Sequence, residues 1–80
     1  FNSSTNISLS ILKEGIVNIV IHNINGVKMK LLTDEYKYKG NYTIKWNGQN
    51  EDGISVPAGV YLCSIQIGDL RKTKKMILLK

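Results

Sequence analysis

The chain has 80 residues and a mass of 9.0 kDa, which is one small domain. A domain of this size buries only ~60–65% of the surface its unfolded chain exposes, so one thin core is available and a separate cofactor domain is excluded. Hydrophobic residues make up 42%, charged residues 21%, and the net charge is +5; this is ordinary globular usage and argues against disorder. No apolar run is longer than Met76-Ile77-Leu78-Leu79, far short of the ~20 residues that span a bilayer, so membrane insertion is not expected. No charged start, apolar run and small-residue cleavage site opens the chain. It begins at Phe1 without an initiating Met and reads as a piece of a longer protein. A missing leader therefore says nothing about the parent's destination.

In chain order, the first five residues, 1–5, are polar and aperiodic and read as the end of a linker, with the domain proper at 6–80. Ile7, Leu9 and Ile11 then alternate with Ser8, Ser10 and Leu12, and Val17, Ile19 and Ile21 alternate with Asn18, Val20 and His22. Period two puts one apolar row on one face of each strand. Gly15 between them, in Lys13-Glu14-Gly15-Ile16, predicts a short hairpin turn. Asn25-Gly26 predicts a two-residue hairpin of type I′, with positive φ at both central positions. A third strand is expected over Val27 to Leu32, with Val27, Met29 and Leu31 on one face. Thr33-Asp34-Glu35 breaks the pattern, and Tyr36 to Gly40 fits a loop or an irregular edge.

Tyr42, Ile44 and Trp46 alternate with Thr43 and Lys45 as a fourth strand. Asn47 to Gly53, with two Gly, two Asn and an Asp, must turn. Ile54-Ser55-Val56 is a short extended piece ended by Pro57. Gly59 to Ile67 is a long strand with Tyr61, Cys63, Ile65 and Ile67 on one face. Gly68-Asp69 turns into a last strand over Lys72 to Leu79. No window has period 3.6. Turns every ~8–12 residues are the mark of a sandwich or small barrel. The expected fold is all-β: six to seven antiparallel strands in two packed sheets.

Catalysis is poorly supported. His22 is the only histidine, beside asparagines and without a carboxylate close in sequence; a turn residue explains it better than a general base. Cys63, the only cysteine, is in phase with Tyr61 and Ile65. That favours a buried structural thiol over a nucleophile, which needs an accessible electropositive site. With one cysteine no internal disulfide forms, and Cys63 with His22 does not make a zinc site. Across Asn47 to Gly53, alternate positions place Asn50 and Asp52 next to Ile54. That matches a turn better than a calcium loop. No catalytic, cofactor or metal residues are assigned.

Two patterns could bind a partner. Tyr36, Tyr38 and Tyr42 lie near Lys37, Lys39 and Lys45, as in stacking sites for nucleic acid or sugar. Tyr42 and Trp46 share the phase of Ile44, however, so they belong to the core. The two remaining tyrosines favour no nucleic-acid role. Sequons stand at Asn2, Asn6 and Asn41 and matter only in a source that glycosylates. Five of the eleven basic residues fall in the last ten: Arg71, Lys72, Lys74, Lys75 and Lys80. An anionic partner would explain them. So would the guarding of an edge strand by lysine, which is the commoner arrangement.

Taken in order, Phe1-Asn2, Ser4-Thr5, Ile7-x-Leu9, Gly15-x-Val17, Asn25-Gly26 and Gly40 are followed by Trp46-Asn47-Gly48 and Asp52-Gly53. Val56-Pro57-Ala58-Gly59-Val60-Tyr61 and Lys75-Met76-Ile77-Leu78-Leu79-Lys80 complete the set. This ordered set resembles the C-terminal sorting domains of cargo exported by the type IX secretion system of the Bacteroidetes. It is also similar to the immunoglobulin-like domain of the flagellar hook-capping protein. The family usually opens with a Pro-Asn-Pro-Phe-Asn type motif, of which Phe1-Asn2 remains. It often has Asp at the position of Asn47 and an aromatic at that of Cys63.

The resemblance implies an immunoglobulin-like sandwich and a non-catalytic signal without a cofactor, carried behind an upstream cargo domain. It implies export through the periplasm and outer membrane to the cell surface or beyond. The expected partners are the outer-membrane secretion machinery and a sortase-like peptidase. The expected contact is the final strand with its basic rim: Lys72, Lys74, Lys75 and Lys80. Along that strand Lys72, Lys74, Met76 and Leu78 share one face and Thr73, Lys75, Ile77 and Leu79 the other. The alternatives are an accessory immunoglobulin-like module, binding glycan or acting as a spacer beside a secreted enzyme, and a structural domain of the hook-capping kind.

Overall fold

The computed structural model describes residues 4–79. Alternation becomes six strands: β1 (Thr5–Ile11), β2 (Gly15–Asn23), β3 (Lys28–Lys37), β4 (Gly40–Trp46), β5 (Gly59–Ile67) and β6 (Leu70–Leu78). All pairings are antiparallel. A two-stranded sheet, β1-β4, packs on a four-stranded sheet ordered β3-β2-β5-β6. The expected all-β sandwich is present, and no helix occurs among the described residues.

The alternating rows make the core. Ile7, Leu9 and Ile11 from β1 face Val17, Ile19 and Ile21 from β2, and Tyr61, Cys63 and Ile65 from β5; Leu78 closes the row from β6. Trp46, at the end of β4, is fully buried. Its ring meets Tyr61 edge-to-face, with centroids 5.1 Å apart and planes at 70°. Both polar handles are satisfied. Trp46 Nε1 donates to the Gln49 carbonyl at 3.0 Å, and the Tyr61 hydroxyl donates to the Pro57 carbonyl at 2.6 Å. A buried aromatic with an unmet donor would lose much of what its area contributes.

Three sequence expectations change. The Lys13–Ile16 turn is not a hairpin: β1 pairs with β4, while β2 pairs with β3 and β5, so the chain crosses between sheets there. Asn25-Gly26 does join β2 to β3, but not as type I′, because only Gly26 takes positive φ (83°). Instead the Asn23 side-chain oxygen accepts from the Asn25 and Val27 amides, each at 2.9 Å. The loop Asn50-Glu51-Asp52-Gly53-Ile54 repeats the device. There Asn50 Oδ1 accepts from the Asp52 and Ile54 amides, and Gly53 takes φ 76°.

Third, β3 runs on through Thr33-Asp34-Glu35. Register shifts against β2 between Ile19 and Val20, and between Ile21 and His22, absorb the break in alternation. Thr33 is buried and pairs with Ile19, while Val27 lies outside the strand and is exposed. The short extended piece Ile54–Val56 makes a single antiparallel bridge, Gln49 to Ser55.

The core predicts a sharp mutational cost. Trp46→Ala should lose ~3–5 kcal/mol, by lost burial plus the cavity left between the sheets. Domains have only ~5–15 kcal/mol in total, so the variant should unfold at much lower denaturant. A loss under ~1 kcal/mol in urea unfolding would contradict this packing.

Candidate recognition surface

The sandwich has two unlike sides. On the β3 side its edge is covered. The Glu51 amide donates to the Met29 carbonyl at 3.0 Å, and the Glu51 carboxylate takes the Leu31 amide. Lys37 on β3 stands 4.6 Å over the Tyr42 ring of β4, tying the two sheets. On the other side lie β1 and β6. Among the described residues each pairs with one neighbour only, which leaves each a free edge.

β6 sorts the basic residues by face. Met76 and Leu78 turn into the core, so Lys72 and Lys74 are on the inward row. The Lys74 ammonium reaches across the gap to the Ser8 carbonyl of β1 at 3.1 Å. Lys75 is on the outward row, opposite Leu62 of β5. Ile77, 58% exposed, lies on that outward row opposite Val60, and Leu79 beyond the strand is 74% exposed. Lys72 and Lys74 therefore come together, Lys75 stands apart from them, and Lys80 lies outside the described residues. Exposed Ile77 and Leu79 leave apolar area on the last strand that the domain's own core does not use.

Below Lys72 and Lys74 a groove of about 890 Å³ opens between β1 and the β5–β6 hairpin. Leu9, Ile65 and Ile67 form its floor. Lys13 and Arg71 join Lys72 and Lys74 around it. Sequence reasoning misses Lys13, because nothing in its turn distinguishes a hairpin from a crossing between sheets. Arg71 donates to Gln66 at 3.1 Å, across the hairpin.

The other candidates hold no such arrangement. His22 is half-buried within β2, flanked by Lys28 and Leu62, not in a turn. Asn47 to Gly53 is a turn closed by its own amides. No cluster of three metal-ligating side chains occurs among the described residues. Tyr36 and Tyr38 are exposed, but they meet edge-to-face at 74° rather than as a flat platform. The Tyr36 hydroxyl bonds Glu14, which raises its pKa.

The profile of the family described as "Secretion system C-terminal sorting domain" matches residues 1–79. No curated protein sequence matches significantly. Among solved structures, the crystal structure of FlgD from P. aeruginosa superposes with a TM-score of 0.75 at 18% identity. The superposition covers 94% of this chain and 59% of that one. At that identity the likeness concerns fold alone: an immunoglobulin-like domain.

Cys63 is fully buried. Burial pushes its thiol pKa up, and the Lys74 ammonium opposes this in part. A raised native pKa favours the protonated form, so this contribution is complete below the ordinary thiol value of ~8.5 and fades as pH rises through the native value. Urea stability should therefore fall as pH rises above the ordinary thiol value of ~8.5, and Cys63→Ala should flatten that fall. Native Cys63 should also label far more slowly than in denaturant. Equal labelling rates, or equal alkaline slopes in the two proteins, would contradict this.

Proposed function

Because the chain belongs to the secretion system C-terminal sorting domain family, we propose that it is the type IX export signal of a larger cargo protein. The domain does no chemistry in this reading. It travels behind the cargo, is read as a folded sandwich by the outer-membrane machinery, and brings the cargo to the cell surface or outside. A sortase-like peptidase then removes it or exchanges it for an anchor.

The observation that carries the reading is the family match over residues 1–79. The last strand supports it physically. β6 has a free edge, an outward row with exposed Lys75 and Ile77, and an inward row with Lys72 and Lys74 at an open groove. A free edge offers backbone pairing, and flanking cations add orientation through charge. Lys72, Lys74 and Lys75, with Lys80 after them, are the proposed contact.

The test is a reporter fused ahead of the domain in a host with type IX machinery. Lys72→Gln with Lys74→Gln should change stability by no more than ~1 kcal/mol, since both are exposed and only Lys74 gives up a bond. Export should drop several-fold. Unchanged export would remove these two lysines from the contact. Unchanged export after deletion of the whole domain would reject the signal reading and favour the accessory module.

A further inference from the structure

The groove between β1 and the β5–β6 hairpin has the makings of a peptide site. Its volume, about 890 Å³, is within the ~300–1,000 Å³ usual for ligand clefts. One wall is β1 from Ser8 to its end at Ile11, about 10 Å long at ~3.3 Å per residue, with Leu12 just beyond it. That strand pairs only with β4. On its other edge the Ser8 carbonyl is met by the Lys74 ammonium alone, a single bond from a flexible side chain.

The floor is apolar, and two leucines at the mouth are out in solvent: Leu12 is 86% exposed and Leu70 75%. The rim carries four cations, Lys13, Arg71, Lys72 and Lys74, against two carboxylates, Glu14 and Asp69. Among the described residues the only ion pair is Lys37 with Glu35, so none of the four cations is neutralised by a carboxylate.

We propose that this groove binds an extended peptide segment of mixed acidic and apolar residues, which adds as a third strand to the free edge of β1. A strand fits because it alone meets the backbone row of β1. Apolar residues suit the floor of Ile65 and Ile67, and acidic ones suit Lys72 and Lys74, which stand on the same inward side of the groove. A carboxylate also releases Lys74 from Ser8, freeing that carbonyl for the incoming amide. A second copy of this chain is disfavoured: it brings the same cations to the same groove. The proposal does not depend on the export reading, since it concerns binding by the isolated domain.

The test is an amide NMR titration of the 80-residue chain with the acetylated peptide Glu-Ile-Glu-Val-Glu-Ile-Glu at low salt. Saturable shifts should cluster at residues 8–14 and 65–74, with slowed amide exchange on β1. Added salt should weaken binding. Lys13→Glu with Lys72→Glu should weaken it at least tenfold; neither side chain holds another element in place. A peptide with Lys for Glu should not bind, and one N-methylated at alternate residues should lose the exchange protection. No saturable shift at millimolar peptide would overturn the proposal. So would shifts centred on the outward face of the four-stranded sheet, undiminished binding by the N-methylated peptide, or the same shifts appearing with protein concentration alone, which marks self-association.

Discussion

The contact between Trp46 and Tyr61 holds the two sheets together. This chain has no disulfide and only one small core to work with. A two-stranded sheet is not stable by itself in water and must be pinned to its neighbour. Trp46 does this from the last position of β4, and Tyr61 receives it from the central β5. Their polar handles end on the carbonyls of Gln49 and Pro57, so the same pair also fixes both ends of the long connection between β4 and β5. That connection places Glu51 on the edge of β3.

The consequence is a sandwich closed on one side and open on the other. Glu51 and the Lys37–Tyr42 contact close the β3 side. Nothing comparable covers β1 and β6 among the described residues, apart from one lysine reaching one carbonyl. Open edges are aggregation hazards, and proteins that keep them usually guard them with charge. Here Lys72, Lys74 and Arg71 are guards by position. The same residues, with an apolar floor beneath, make a surface that a specific strand can use. Protection against wrong pairing and the proposed recognition of a right partner would thus follow from one charge placement.

Much of this was legible in the sequence. The rows in Ile7–Ile11, Val17–Ile21 and Tyr61–Ile65 announced strands because each has one buried face, and period two then names the core directly. Trp46, Tyr61 and Cys63 were placed in the core by phase alone, and each is there. What failed was non-local. Nothing in Lys13-Glu14-Gly15-Ile16 distinguishes a hairpin from a crossing between sheets, since the choice is made by which strands β1 and β2 pair with. β3 was cut short because its bulges shift the phase of alternation, so Thr33 is inward where the pattern read as broken. Asn23 defeated the type I′ reading by offering its side-chain oxygen to two amides. For the candidate surface, the lysines were legible as a group. That Lys13, Leu12 and Leu70 gather around the same groove follows only from the crossing.

The central claim is that the partner reads a folded domain, through a side of the sandwich that folding creates. The most direct measurement compares export of a fused reporter with the folded fraction of the domain, across graded core substitutions such as Ile19→Val, Ile65→Val and Trp46→Phe. All leave residues 70–80 unaltered. The account predicts that export falls in step with the folded population. Full export of a variant shown to be unfolded would mean that the terminal segment is read as a linear tag, and would contradict it.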